Sequence, residues 1–180
     1  LCLGIESTAH TFGASVVDSN KRVFSNEKAV FQTEKGGMIP AEVCQHHVNV
    51  CDEIIKKALK KANLNINKID IIAFSQSPGI GHMLRIGAVA TRALSGLYKK
   101  PLVGVNHCIA HLEIGRMTTQ SKDPILLYAS GANTQVIAFE GGKYRVFGET
   151  LDIGVGNMLD SFARHIGLGF PGGPKIEKLA

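Results

Sequence analysis

Two sets of three short apolar runs, one at each end of the chain, restrict the fold more than any other feature. The first set covers residues 1–5, 12–17 and 23–31, with turn chemistry at Asp18-Ser19-Asn20 and a polar, hydroxyl-rich link from Glu6 to Thr11. The second covers residues 125–129, 134–139 and 144–149, joined by Ser130-Gly131-Ala132-Asn133 and by Gly141-Gly142. Short runs joined by tight turns predict antiparallel strands.

Between the two sets the period changes. After a break at Gly36-Gly37, Pro40 suits the first turn of a helix, and Val43, Val50, Ile54, Ala58 and Ala62 recur at helical spacing over residues 41–62. Residues 69–75 are nearly all apolar, as in a strand buried on both faces. The turn Ser77-Pro78-Gly79-Ile80-Gly81 leads to a helix over 84–98, with Leu84, Ala88, Thr91, Leu94 and Ser95 on one stripe, and Pro101 ends it. A strand over 102–106 runs into a helix over 107–116. Residues 157–166 predict another helix, Gly167 to Pro174 a rigid loop, and Lys175 the start of a last helix. The order is mixed α/β. Two antiparallel three-strand sets do not suit a plain doubly wound sheet. They suit the ribonuclease H-like, actin-like ATPase architecture, a mixed sheet with helices on both sides whose hairpin turns grip phosphates at two equivalent places.

A chain of 180 residues with 44% apolar content fits one folded domain. Residues 1–180 are expected to form one lobe plus the start of the following helix. A single helical turn carries the nucleation cost without return, so a continuation, in the same or a separate polypeptide, is also expected. The net charge of +5 leans toward polyanion partners such as nucleic acid. Lys56, Lys57, Lys60 and Lys61 form either a solvated helix face or part of such a footprint. Cys2, Cys44, Cys51 and Cys108 form no C-x-x-C pair, which argues against a zinc knuckle and for reduced thiols in the cytoplasm. The opening residues lack the form of a signal peptide, and no stretch approaches the ~20 apolar residues of a membrane span.

The sharpest chemical feature is His107-Cys108-Ile109-Ala110-His111. Residues four apart share a helix face, so two imidazoles here can chelate one divalent ion, or they are two histidines without a ligand. Iron or zinc takes four or more ligands; Tyr128, at a strand end, is a candidate third or else a core aromatic. Metalloprotease chemistry is disfavoured, because Cys108 stands where H-E-x-x-H keeps its glutamate. The turn after Tyr128-Ala129 lets backbone approach a phosphate, with Ser130, Asn133 and Thr134 as donors, or is an ordinary hairpin turn. Glu6, Ser7 and Thr8 offer a possible phosphate loop, or a solvated one. Asp160 can accept from a ribose, and Glu177 lies on the next helix; spacing alone reads both as surface carboxylates. The 77–81 turn precedes a helix as an anion loop can, but lacks the G-K-[ST] of a Walker loop.

Five segments together are more specific than any one. Gly4-Ile5-Glu6-Ser7-Thr8-Ala9-His10-Thr11, Gly104-Val105-Asn106-His107-Cys108-Ile109-Ala110-His111, Leu127-Tyr128-Ala129-Ser130-Gly131-Ala132-Asn133-Thr134-Gln135, Phe147-Gly148-Glu149-Thr150-Leu151-Asp152 and Pro171-Gly172-Gly173-Pro174 occur in an order and spacing that resemble the TsaD/OSGEP family, and residues 103–177 look most like its archaeal and eukaryotic branch.

The resemblance implies an actin-like two-lobe fold. It implies an acyltransferase, once called a glycoprotease, that moves threonylcarbamoyl from threonylcarbamoyl-AMP to the adenosine beside the anticodon of tRNA. It implies work within a KEOPS complex, with a small kinase-like protein and a small dimerising subunit that packs on helices such as 41–62. His107 and His111 match metal ligands for one divalent ion, iron or zinc. Tyr128 matches a contact to metal and substrate, Ala129, Ser130, Gly131 and Ala132 the phosphate or carbamoyl grip, which Asn133 closes. Asp160, Gly173 and Glu177 match contacts to the adenosine of threonylcarbamoyl-AMP or ATP. Three departures stand out. Ala132 replaces the second glycine of S-G-G-N. Ser77 and Gly81-His82-Met83 differ from G-P-G-L-G-P. The family's carboxyl-terminal lobe, with its aspartate ligand and nucleotide-binding asparagine, is absent, so the chain alone is expected to be inactive. Two other readings are a non-catalytic scaffold for KEOPS-type partners and an ATPase or phosphotransferase of the same superfold; the latter hold magnesium through carboxylates and water.

Overall fold

The computed structural model describes residues 1–32, 38–119 and 121–180, and the Gly36-Gly37 break lies outside them. The described chain divides into two compact units, Leu1–Gln32 with Met38–His107, and Cys108–Ala180.

The first unit is built on a five-stranded sheet. Its strands are β1 (Cys2–Glu6), β2 (Thr11–Val17), β3 (Val23–Val30), β4 (Ile71–Ser77) and β5 (Leu102–Asn106), ordered β3-β2-β1-β4-β5. The first three pair antiparallel, as the short runs and tight turns predict, while β4 and β5 run parallel to β1. Side chains alternate across a strand, and Leu3, Ile5, Phe12, Ala14 and Val16 all fall on one buried face. Helices α1 (Pro40–Lys61) and α2 (Gly81–Tyr98) pack against the sheet and each other, adding Ile54, Ile55 and Ala58 to that core.

Local readings differ from observation at two elements of this unit. Strand β4 starts at Ile71; Ile69 is fully buried but lies before the strand, so apolar content outran strand pairing. The strand extends through polar Gln76 to Ser77, which pairs with Asn106. Helix α2 starts at Gly81, three residues early, and buries Met83 and Gly87 as well as Thr91 of the predicted stripe, of which Ala88 and Leu94 also pack against the core. Gly87 is buried because α2 passes so close to β1 that a side chain there would strike Ser7. The helix stops where Lys99 turns left-handed (φ 52°), and Ser95 Oγ donates to the Lys100 carbonyl at 2.6 Å.

The second unit holds α3 (His107–Thr118, whose first residue belongs to the first unit), a three-stranded antiparallel sheet of β6 (Leu126–Ala129), β7 (Thr134–Glu140) and β8 (Lys143–Glu149), then α4 (Val155–His165) and α5 (Gly173–Leu179). This second meander is the one predicted. Leu126, directly opposite Ile137 on β7, joins Tyr128 and Tyr144 in a small core with Cys108 and Leu112 of α3. No helix among the described residues is long and apolar enough to cross a membrane.

Candidate functional site

The link after β1 is not a solvated loop. Ser7 and Thr8 are 1% and 5% exposed. The Glu6 carboxylate turns back to accept the Thr8 N–H at 2.7 Å and the Thr8 hydroxyl in a short hydrogen bond. The Thr8 carbonyl accepts the Ile80 N–H at 2.8 Å. Gly79 makes that approach possible: a Cβ there would lie 2.9 Å from the Thr8 carbonyl oxygen. The Ser77–Gly81 turn therefore clamps the β1 link. On its far side the Thr8 hydroxyl stands 3.5 Å from His107 Nε2.

His107 follows Asn106, the last residue of β5, with no residue between strand and helix. One turn on, His111 is exposed, its ring centroid 5.4 Å from that of Tyr128 at an interplanar angle of 53°. Cys108 and Leu112, between and beyond the histidines, face the sheet and seat α3 on Ile137. Burial pushes the Cys108 thiol above its ordinary range, and a hydrogen bond with the Tyr128 side chain partly opposes that. Glu113 accepts from the Tyr144 hydroxyl and pairs with Arg116 at 3.0 Å, tying α3 to β8. The hydrogen bond to Glu113, then burial, raises the Tyr144 phenol.

The turn after Ala129 closes on itself. Ser130 N–H donates to the Asn133 carbonyl at 3.1 Å, Ser130 Oγ donates to it at 2.8 Å, and Asn133 N–H donates to Ser130 Oγ at 3.2 Å. Thr134 Oγ1 accepts from the Val155 N–H at 2.9 Å. These polar side-chain atoms serve the protein, and Gly131 and Ala132 are the exposed residues of the turn. Ala132 does not take a positive φ, so its methyl meets no backbone strain where the family pattern has glycine. Glycines the sequence did not single out hold the start of α4 against the turn. A Cβ on Gly154 would lie 2.7 Å from Asn133 N, and one on Gly156 2.8 Å from the Ser130 carbonyl oxygen.

Asp160 on α4 accepts the Gly172 N–H at 2.7 Å. Gly173 opens α5, and Glu177 is exposed one turn later. The Lys175 ammonium folds back to the Leu168 and Phe170 carbonyls at 2.6 and 3.4 Å. Of the lysines on α1, Lys56, Lys57 and Lys61 pair with Asp52, Glu53 and Glu27, which favours the solvated-face reading for those three.

The structure thus brings His111 to Tyr128, His107 to Thr8 and Glu6, Ser130 to Asn133, and Asp160 to the Gly172 turn. Among the described residues no three of His, Cys, Asp or Glu gather as a metal cluster. Within the second unit His111 and Tyr128 offer a nitrogen and an oxygen donor side by side, which fits a borderline divalent ion only with further ligands.

The family model for TsaD, described as tRNA N6-adenosine threonylcarbamoyltransferase, matches residues 22–180. The chain belongs to the TsaD family. A Thermococcus sibiricus protein named tRNA N6-adenosine threonylcarbamoyltransferase is 58% identical over all 180 residues, which cover 55% of that relative. A Thermoplasma acidophilum protein named as a probable bifunctional tRNA threonylcarbamoyladenosine biosynthesis protein is 50% identical over the same span, 34% of its own length. The chain therefore spans about half the length, or less, of these TsaD relatives. Among solved structures, YeaZ from Pseudomonas aeruginosa matches with a TM-score of 0.58 at 14% identity, over 87% of this chain and 67% of that one. The ethanolamine utilization protein EutJ from Carboxydothermus hydrogenoformans matches with a TM-score of 0.58 at 16% identity, over 98% and 60%. At such identities the likeness speaks for the fold alone, and that fold is the actin-like ATPase type expected of TsaD.

Proposed function

We propose that this chain forms the metal- and nucleotide-facing part of a tRNA N6-adenosine threonylcarbamoyltransferase. The observation that carries the reading is the His111–Tyr128 pair, with His107 one turn before it, in a chain matched to TsaD over residues 22–180. In this proposal His107, His111 and Tyr128 hold a divalent ion, iron or zinc. Bound there, such an ion supplies Lewis-acid polarisation of an acyl carbonyl or a grip on phosphate. The Gly131 and Ala132 backbone approaches the acyl-phosphate end of threonylcarbamoyl-AMP. Gly173, Glu177 and the Asp160 carboxylate, already oriented by the Gly172 amide, receive the adenosine. Acyl transfer to the exocyclic amine of tRNA adenosine needs no covalent intermediate with a protein side chain.

The ligands and nucleotide contacts missing from the donor set belong, in this reading, to the part of TsaD proteins that this chain does not span, so the chain alone is inactive. KEOPS-type kinase-like and dimerising subunits are the proposed partners, with exposed Ile39 before α1 and Val48 on it as candidate contacts for the dimerising one. The test joins the chain to the remaining part of the Thermococcus sibiricus relative and measures bound metal and transfer of threonylcarbamoyl to tRNA, before and after His111→Ala. The expected result is one equivalent of metal and activity in the joined protein, both lost in the variant, and no activity in the chain alone. A joined protein that binds no divalent metal favours the scaffold reading. One that hydrolyses ATP without modifying tRNA favours the phosphotransferase.

A further inference from the structure

We propose that the exposed face of α2 is a phosphate-contacting surface for the backbone of tRNA, carried by Arg85 and Arg92. The inference rests on the reading of tRNA as substrate and adds where the chain grips it. No acidic residue occurs between Asp70 and Glu113, whereas that stretch holds Arg85, Arg92, Lys99 and Lys100. It therefore carries most of the net charge of +5. Lys100 is engaged within the fold, its ammonium donating to the Asn67 carbonyl at 2.9 Å. Arg85 and Arg92 enter no ion pair among the described residues. Both are exposed, and Met83, Gly87 and Thr91 take the buried side of the helix. At about 100° per residue, Arg85, Val89 and Arg92 share one outward stripe.

Helix α1 differs. Lys56, Lys57 and Lys61 already have carboxylate partners, which a polyanion would have to displace. The α2 arginines have none to displace, and a guanidinium is always charged and gives phosphate oxygens several donors. Seven residues separate the two, about 10 Å along the axis, the axial reach of about three successive phosphates on one strand. Exposed Val89 lies between them and exposed Leu97 beyond; single apolar side chains of this kind are ordinary on a surface, so the charges set the chemistry of the partner. The helix leaves from the Ser77–Gly81 turn, whose Ile80 N–H holds the Thr8 carbonyl, and Thr8 stands 3.5 Å from His107. Arg85 and Arg92 lie about 6 and 16 Å along the helix from that start, a distance that a few nucleotides of one strand cover.

The test measures binding of unmodified tRNA to the 180-residue chain as salt is raised. Each phosphate contact contributes about 0.7–0.9 to the slope of log affinity against log salt. Arg85→Gln with Arg92→Gln should therefore lower that slope by about 1.4–1.8. Arg85→Lys with Arg92→Lys keeps both charges and should leave it near wild type. Lys56→Gln with Lys57→Gln removes the same net charge from α1 and should also leave it near wild type. Glutamine suits an exposed helix position; should the paired change not fold, each single change carries half the expected shift. A chain that binds no tRNA, or an equal fall in the α1 pair, overturns the proposal. So does a slope indifferent to the α2 pair, which favours an acidic protein as the partner of the stripe. Transfer is measured separately in the joined protein described above. Binding that depends on α2 without any transfer upholds the surface and sinks the transferase reading; transfer without any dependence on α2 sinks only the surface.

Discussion

The two hydroxyl-rich links, Glu6 to Thr11 and Ser130 to Asn133, read alike in sequence and are built for different work. In the first, Ser7 and Thr8 are buried, and neighbouring segments fix them: Glu6 takes the Thr8 donors and the 77–81 turn presses on the Thr8 backbone. The second is half open. Its side chains bond to each other, and Gly131 and Ala132 are exposed. A link whose hydroxyls face inward supports a protein side chain. One whose side chains are satisfied locally leaves them no donors to spare. Composition cannot separate the two cases, because the deciding groups are distant in sequence: Gly79 and His107 for the first, Gly154 and Gly156 for the second.

Substitutions at those distant glycines are the strongest way to break the contrast. Gly154→Ala drives a methyl into the Asn133 and Gly131 backbone and should cost about 3 kcal/mol in denaturant unfolding, the upper end for overpacking. Gly131→Ala, in the turn itself, meets nothing within 4 Å and should stay within about 0.5 kcal/mol. Equal losses at both would mean that the turn, not its support, is the fragile part. Gly79→Ala should cost about 2 kcal/mol by the same measurement, since it meets the Thr8 backbone at 2.9–3.0 Å.

A pH effect separates the two units further. His47 on α1 is fully buried, edge-on to Phe12. Burial first, and neighbouring His46 second, lower its pKa; the Glu6 charge partly opposes them. The folded first unit thus binds a proton less readily than its unfolded chain. The stability that depends on neutral His47 is complete above the ordinary histidine value near 6.5. It is lost as pH falls from there through the lowered folded value. Denaturation midpoints followed by a probe in the first unit should drop over that range, and His47→Leu should flatten the drop. A parallel drop in the variant would assign the effect to other groups. The smallest effect belongs to Ala132→Gly: with no positive φ to relieve, it should shift stability by about 0.5 kcal/mol or less.

Much of this was legible in sequence. The span of β5 and both three-strand meanders follow from turn residues and alternation, because those are local signals. The sequence singles out the histidine pair and Tyr128, and the structure places His111 beside Tyr128. His47 was missed because a helical stripe was counted in apolar residues only, and a neutral imidazole can fill a core position. The early start of α2 was missed because Gly81 and His82 carry no helix signal; Met83, buried in its first turn, does the anchoring. The inward turn of Glu6 depends on Thr8 folding back to meet it, which spacing does not encode.

The direct passage from β5 into α3 has one more consequence. Each helical residue advances the direction of its side chain by about 100°, and no spare loop residue separates Asn106 from His107 to absorb a change of length. Deleting or inserting one residue within β5 would either shift its pairing with β4 or swing both imidazoles about a quarter-turn around the helix axis. Sequence length at this junction is therefore a structural constraint in its own right.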